Sequence, residues 1–159
     1  MSYTTLYVLN KKSVTSHKRY RNSWGSAALL WDYLSIKYLG LKGMPLGYGA
    51  DYQPLWDLAN DSRLSEDEVI AHRMTFDWEY VPLDKLQLAA DSCRLVFSKT
   101  LSFLDSGRAN HWYDIGDDIE RLTEIKLNRH ARGVCLGCTS VSDPWWQKKK
   151  IPEAVSIFH

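Results

Sequence analysis

Apolar residues recur at three- and four-residue steps in three stretches of the chain, which is the spacing of a helix with one buried face. The first helix is predicted to begin at Asn22 or Ser23, whose side chains can cap free amide groups. A second is predicted at residues 84–104 and a third at about residues 113–127. The apolar face of the first helix consists of Trp24, Ala27, Ala28, Trp31, Leu34 and Tyr38.

Three shorter segments have the composition of β-strands. Residues 3–9 are rich in β-branched and aromatic side chains, and residues 75–81 alternate aromatic with polar positions. Residues 132–141 are predicted to form a third short strand. The basic and polar residues 17–21, between the first strand and the first helix, are predicted to form a loop.

Glycine and proline interrupt any regular pattern in residues 40–54, which predicts a long irregular loop. Two short helices are expected after it, at residues 55–59 and from Ser65 to about Arg73. Ser65 and Glu68 have the spacing of a capping box, in which each side chain bonds the backbone amide of the other residue.

These elements predict an α+β fold, with a small mixed sheet of about three strands and three to five helices packed on it. A chain of 159 residues is the size of one ordinary domain, and no segment has the character of a linker. Residues 1–159 are therefore interpreted as a single globular domain. The pattern becomes polar after Pro144, and about residues 147–159 are predicted to be a loosely ordered tail.

The composition is that of a folded protein, with 45% apolar and 25% charged residues. The formal charge of +1 creates no overall field that attracts phosphate backbones or anionic lipid, so either role requires a local patch. The longest apolar run covers residues 27–31 and is far shorter than the roughly 20 residues that cross a bilayer. No membrane contact is predicted.

Three cysteines, an odd number, do not form a disulfide framework, and the N-terminal sequence has no basic segment followed by a long apolar core. We therefore expect the reducing cytoplasm as the compartment. Cys93 lies on the apolar face of the second long helix, where a buried thiol acts as a small hydrophobic side chain.

The segment RGVCLGCTSVSDPWWQKKK holds Cys135 and Cys138, whose spacing also occurs in metal and redox sites. A zinc site needs two further ligands, for which His130 is one candidate. In an extended strand, residues three apart are separated by about 10 Å and point to opposite faces. The strand interpretation therefore disfavours a shared metal, and we predict no cofactor. A redox pair is disfavoured too, because no amphipathic helix follows the cysteines.

Two sets of residues have the chemistry of acid–base or metal sites. Glu68 and His72 are four residues apart on one predicted helix, a spacing that ordinary surface pairs share. His111 precedes an acidic group at residues 114–118, although acidic residues at the start of a helix also stabilise its dipole. The sequence contains no nucleophile elbow, phosphate loop or zincin pair. An enzyme is therefore not the favoured class.

Nucleic-acid binding is an alternative, because Trp145 and Trp146 can stack on bases while nearby lysines neutralise phosphates. A second basic cluster lies at residues 17–21. The balanced net charge makes this role less favoured than protein binding. The residues of the alternative are Lys18, Arg19, Arg21, Lys148, Lys149 and Lys150.

Two segments resemble small accessory proteins of tailed bacteriophages and prophages. They are YRNSWGSAALLWDYLSIKYL, in which Arg21 to Gly25 open the first helix, and TSVSDPWW, from Thr139 to Trp146. The resemblance implies a phage-like origin and the bacterial cytoplasm, and it supplies no established activity or catalytic residue. Polar residues precede the Thr-Ser-Val of that family, whereas this chain has Cys138 at that point.

Seven tryptophans and nine tyrosines are a surplus of large rings, and such rings are preferred anchors of protein interfaces. Phage accessory proteins of this size commonly act by docking on a host protein. We therefore expect a cytoplasmic protein-binding module that modulates or inhibits a host defence factor, with self-association as a further option. The predicted contact residues are Tyr48, Tyr52, Trp56, Trp112, Trp145 and Trp146.

Overall fold

The computed structural model describes residues 2–105, 107–138 and 143–159. Within these residues, five strands form one mixed sheet in the spatial order β2-β1-β4-β3-β5, and five α-helices pack with it. The strands are β1 (Tyr3–Asn10), β2 (Val14–Arg21), β3 (Glu79–Pro82), β4 (Ala131–Gly137) and β5 (Val155–Ser156). The helices are α1 (Ala27–Leu39), α2 (Gln53–Asp57), α3 (Glu66–Met74), α4 (Leu86–Phe103) and α5 (Trp112–Leu122).

The predicted α+β class is confirmed, although the sheet is larger than the predicted three strands. β1 lies between β2 and β4 and pairs antiparallel with both. β3 pairs antiparallel with β4 and, on its other side, parallel with the short β5. The helices cover one face of this sheet, where the main hydrophobic core lies.

The prediction of a loop at residues 17–21 is wrong, because these residues belong to β2. β2 is an edge strand, and all of its side chains except Val14 and Tyr20 are exposed. An exposed edge strand has no apolar alternation, so its pairing with β1 leaves no mark in the hydrophobic pattern. Tyr20 does reach the core, where its hydroxyl donates to Asp118 at 2.7 Å.

β3 is shorter than the predicted strand and begins at Glu79 rather than Thr75. The backbone amides of Thr75 and Phe76 bond back to the last turn of α3, so the helix end occupies the first part of that strand. Trp78 then adopts a left-handed backbone (φ 63°), which is unusual for a bulky residue. After this turn, Phe76 packs among the helices, whereas Trp78 and Tyr80 pack on the other face of the sheet.

The second face of the sheet is covered by the C-terminal segment. Two 3-10 helices, Pro144–Trp146 and Lys148–Glu153, run across it before β5. They bury side chains against β1 and β4 in a small second core, which consists of Tyr7, Leu9, Cys135, Trp145, Ile151 and Ala154. Residues 147–159 are therefore not the loose tail that their polar pattern predicts. A few apolar residues among the lysines are enough to hold the segment on the sheet.

The three long helices occur as predicted, with shorter ends. α1 follows a 3-10 turn at Ser23–Gly25 that Asn22 caps with its side chain. Trp24 is 56% exposed and Ile125 is 54% exposed, so neither belongs to the core that the helical pattern predicts. Cys93 is fully buried on α4, as expected. Among the helices that the described residues form, none has both the length and the apolar character needed to cross a bilayer.

A buried carboxylate joins α1, α3 and α4. Glu68 is 1% exposed and lies in the first turn of α3, where it forms the predicted capping box with Ser65. The hydroxyls of Tyr33 and Tyr38, both on α1, donate to its two oxygens at 2.8 and 2.7 Å. Lys99 of α4 lies 3.9 Å from the same carboxylate. The start of α3 is thus held to both of the neighbouring helices.

Replacing Glu68 with glutamine should lower the free energy of unfolding by about 3 kcal/mol, because an amide donor would then face hydroxyl and ammonium donors. Burial alone would raise the pKa of Glu68, but hydrogen bonds from Ser65, Tyr38 and Tyr33 outweigh burial and lower it to about 2. Because this pKa lies below the ordinary value of 4.5, the stabilisation is present above pH 4.5 and is lost as the pH falls toward 2. Urea unfolding at a series of pH values measures both effects.

Glu66→Gln is the matched control, because Glu66 lies in the same helical turn and is exposed. It should change the free energy of unfolding by no more than about 0.5 kcal/mol. If the Glu68→Gln protein is as stable as this control, the carboxylate does not hold the helices together.

Candidate functional site

A cavity of about 450 Å³ lies between α1, the end of α3 and the C-terminal end of β4. We term it the aromatic pocket. Its lining residues are Trp31, Trp56, Thr75, Phe76, Asp77, Leu136, Cys138 and Pro144. Most of these residues are only partly buried, so the cavity is accessible from solvent.

The rings of the aromatic pocket are arranged around Trp56. Trp31 meets it edge-on, with ring centroids 5.2 Å apart and planes at 79°, and Phe76 meets it at 5.7 Å and 84°. Tyr52 stacks on Trp56 at 5.7 Å, and the His72 ring stacks at 6.2 Å. Edge-to-face and offset-stacked pairs are the arrangements that aromatic quadrupoles favour, so the rings stabilise one another in this geometry.

Hydrogen bonds connect the helices that carry these rings. The indole N–H of Trp31 donates to the Thr75 hydroxyl (3.1 Å), which donates in turn to the His72 backbone carbonyl (2.6 Å). The His72 Nε2–H donates to the Leu55 carbonyl (2.8 Å), since a carbonyl only accepts. This bond holds α2 against α3 and places Trp56, the next residue along α2, over the cavity.

Asp77 is the carboxylate that lines the aromatic pocket, and it is exposed to solvent, whereas Asp143 precedes the lining residue Pro144 and does not itself line the cavity. Asp143 is buried, and its oxygens accept from the Tyr7 hydroxyl (2.7 Å) and the Trp145 backbone amide (3.0 Å). Partial burial, followed by the negative charge of Asp143, raises the pKa of Asp77. Burial and the same two carboxylates raise the pKa of the Cys138 thiol to about 12.

No Lys or Arg side chain that the structure describes forms an ion pair with Asp77 or Asp143. The aromatic pocket therefore combines ring faces with the carboxylate of Asp77, which forms no ion pair among the described residues, and both features attract a cation.

Four of the six predicted contact residues have rings that reach solvent. Trp56 lines the aromatic pocket and Tyr52 stacks on it, and both are partly buried. Tyr48 is fully exposed in the glycine-rich loop, and Trp146 is 63% exposed on the C-terminal segment. The structure thus brings Tyr52 and Trp56 together at one site.

The other two predicted contact residues, Trp112 and Trp145, are structural. Their exposed fractions are 0% and 1%. The indole N–H of Trp112 donates to the Ser26 carbonyl, and that of Trp145 donates to the Leu136 carbonyl, both at 3.0 Å. Because each ring is enclosed and its polar group is satisfied, neither residue is available to a partner.

The acidic group near His111 lies in a second cavity, of about 270 Å³, but His111 does not line it. The lining residues are Lys18, Tyr20, Asp114, Asp117, Asp118 and Arg121. Asp118 pairs with Arg121 (3.3 Å), and Asp117 pairs with Arg94 of α4 (3.1 Å). His111 donates from its ring to a backbone carbonyl instead. The pair of Asp117 with Arg94 joins α5 to α4, and that of Asp118 with Arg121 lies within α5, so two of the three carboxylates have a cationic partner.

The other side chains that the sequence suggests as acid–base or metal sites do not lie together either. Glu68 and His72 are not the surface pair that their spacing suggests, because both are buried and bond different groups. Cys135 belongs to the second core, whereas Cys138 packs on the helical side, as the strand interpretation predicts. His130 is exposed in the loop before β4. Within the described residues, no three His, Cys, Asp or Glu side chains are grouped to hold a metal ion.

The two predicted basic clusters lie on different surfaces. Lys18 points to the helical side of β2, whereas Arg19 and Arg21 point to the opposite side. Arg21 pairs at the start of β1, but the segment that carries Lys148–Lys150 is bonded to Arg132, which lies near the end of β1. The structure therefore does not join these clusters into one nucleic-acid surface.

Sequence reasoning missed Trp31 and Phe76 as site residues, together with the carboxylates of Asp77 and Asp143. Trp31 fits the apolar face of a helix and Phe76 fits an alternating strand, so the pattern assigns both rings to the core. The local signal that was available is Asp77 itself, an acidic residue between two aromatic ones directly after a helix. The predicted strand residues 139–141 lie outside the described part of the chain.

Comparisons of the chain with protein-family models, with curated proteins and with solved structures find no match. The function is therefore inferred from the geometry and charge of the aromatic pocket.

Protonation of His72 should destabilise the fold. Burial lowers the pKa of His72 from 6.5 to about 4, so the unfolded chain binds more protons than the folded one between these values. Stability is therefore fully present above pH 6.5 and falls as the pH decreases toward 4. His72→Gln keeps an N–H donor for Leu55 but does not titrate, so it should remove about 2 kcal/mol of pH-dependent stability between about pH 6.5 and pH 5.

Urea unfolding across that range, which lies above the titration of Glu68, measures the difference. His130→Gln is the matched control, because His130 is exposed, and it should keep the wild-type pH dependence. An unchanged slope in the His72→Gln protein would show that His72 is not the group responsible.

Proposed function

We propose that the protein is a protein-binding module that accepts an arginine side chain of its partner in the aromatic pocket. The observation that carries the proposal is that three rings, Trp31, Trp56 and Phe76, line one cavity with Asp77, which forms no ion pair among the described residues and whose pKa is raised by partial burial and by the charge of Asp143. A guanidinium group stacks on aromatic faces and bonds a carboxylate through two N–H groups, so it matches both features.

Charge favours a basic occupant over an apolar one. The raised pKa of Asp77 reflects partial burial and repulsion from Asp143, and a cation placed beside them relieves that repulsion. An apolar side chain would instead bury the carboxylate of Asp77 without neutralising it, which costs free energy. Arginine is favoured over lysine because its planar group is less strongly hydrated and stacks on rings.

The size of the aromatic pocket fits a segment of a partner chain. A volume of about 450 Å³ exceeds that of one side chain, so residues that flank the arginine also contact the walls. Tyr48 lies in the loop that leads into α2, four residues before Tyr52, and its ring is fully exposed. Aromatic residues around a central basic anchor are typical of binding hot spots.

The partner that we propose is a protein of a bacterial host. The resemblance of residues 21–25 and 139–146 to phage accessory proteins supports this choice, because small proteins of that kind commonly dock on host factors. Blocking a host defence factor is the role that fits a docking protein without a recognisable catalytic motif.

Isothermal titration calorimetry with the peptide acetyl-Gly-Arg-Gly-amide tests the arginine site. The matched ligand carries citrulline, which has nearly the same shape and no charge. We expect the arginine peptide to bind at least about tenfold more tightly than the citrulline peptide. Trp56→Ala and Asp77→Asn should each weaken binding of the arginine peptide by about tenfold, because they remove a stacking face and a charge.

Trp24→Ala is the matched control, since Trp24 is an exposed ring that does not line the aromatic pocket, and affinity should stay within about twofold. Asp77→Asn preserves side-chain shape, so it remains informative if Trp56→Ala does not fold. Equal affinity for the two peptides, or no binding of either, would overturn the proposal. Self-association that Asp77→Asn abolishes would contradict a host partner and identify a second copy of the chain as the source of the arginine.

A further inference from the structure

One end of the sheet brings together positive charge from three separate segments. Lys11 and Lys12 form the tip of the β1–β2 hairpin, and the backbone amide of Lys11 donates to the His130 carbonyl (3.1 Å). Further along β4, the guanidinium of Arg132 donates to a carbonyl within the 3-10 helix Lys148–Glu153 (3.2 Å). These bonds connect the hairpin tip, the loop before β4 and the lysine-rich helix.

A β-bulge fixes this arrangement. The pairing of β1 with β4 shifts between Leu9 and Asn10, which leaves Arg132 as the extra residue on β4. The guanidinium of Arg132 lies 4.8 Å from the centre of the Tyr80 ring, on the second face of the sheet, and bonds the C-terminal segment there. Arg132 of β4 therefore contacts Tyr80 of β3 and also bonds the C-terminal segment, and these contacts hold the lysine-rich helix in place.

We term this surface the basic end, and its exposed Lys and Arg residues are Lys11, Lys12, Arg129, Lys148, Lys149 and Lys150. None of them forms an ion pair with a residue that the structure describes. Arg94 and Lys99, both on α4, form ion pairs instead. The lysine-rich helix contains one acidic residue, Glu153. In the loop before β4, the positive charge of Lys126 balances the negative charge of Glu124.

An exposed ring precedes the lysine-rich helix in the chain. Trp146 is 63% exposed and lies two residues before the lysine run, whereas its neighbour Trp145 is anchored to the Leu136 carbonyl (3.0 Å). The buried ring fixes the backbone from which the exposed ring projects. Unpaired bases have free faces on which an indole stacks, whereas a duplex keeps its base faces covered.

We propose that the basic end and Trp146 together form a binding site for single-stranded nucleic acid. The lysines neutralise backbone phosphates and release counterions, and the indole stacks on a base. The site is separate from the aromatic pocket, which is negative, and it does not depend on the protein-binding function. It also differs from the predicted pairing of residues 17–21 with the lysine run, because the hairpin tip and Arg129 replace that cluster.

Fluorescence anisotropy with a labelled oligothymidylate of about 12 nucleotides tests this site. The triple variant Lys148→Ala, Lys149→Ala, Lys150→Ala should weaken binding at about 50 mM salt by at least tenfold and reduce the slope of log affinity against log salt by about 2. Lys11→Ala with Lys12→Ala, on a different segment, should weaken binding by about fivefold or more. Trp146→Ala should also weaken binding about fivefold or more while leaving the salt slope unchanged.

Lys18→Ala with Lys42→Ala is the matched control, because both side chains are exposed and lie outside the basic end, and affinity should stay within about twofold. All replaced side chains are exposed, so the variants should fold. Absence of oligothymidylate binding, or binding that the triple variant does not weaken, would overturn the proposal. Equal affinity for a duplex of the same length, or binding to anionic phosphatidylserine vesicles but not to the oligonucleotide, would overturn it as well.

Discussion

The carboxylate of Glu68 sets the separation of the two helices that frame the aromatic pocket. Tyr33 and Tyr38 bond it from α1, the helix that carries Trp31, and the carboxylate itself belongs to α3, which leads to Phe76. A buried carboxylate is costly unless its lone pairs are satisfied, so the helices have one favourable spacing at this point. The distance across the aromatic pocket therefore depends on an interaction that touches no ligand.

Although the net charge is near neutral, the aromatic pocket and the basic end differ in the sign of their charge. The C-terminal segment contributes residues to both. Pro144, directly after Asp143, lines the aromatic pocket, and Lys148–Lys150 follow at the basic end. Trp145, directly after Pro144, and Ile151, directly after the lysines, are buried in the second core and hold the segment on the sheet. These two buried residues thus position the charged side chains at each site, although they do not themselves contact a partner.

Local sequence patterns predicted the parts of this fold in which buried and exposed faces differ. The long helices, the first strand and the capping box of Glu68 all have that contrast or a local hydrogen-bond signature. β2 has no such contrast because it is an exposed edge strand. The aromatic pocket could not be predicted, because Trp31, Trp56 and Phe76 are far apart in sequence and a ring that lines a pocket has the same helical or strand spacing as a ring in a core. The structure shows that Trp112 is buried and so is not a contact residue, a distinction that composition alone cannot make.

Intermolecular nuclear Overhauser effects between the protein and a bound arginine peptide provide the most direct test of the central claim. We predict contacts from the arginine side-chain methylene protons to the rings of Trp31, Trp56 and Phe76, because these rings line one cavity. Contacts confined to the exposed rings of Trp24 or Trp146, or a complex in which the pocket rings show none, would contradict it.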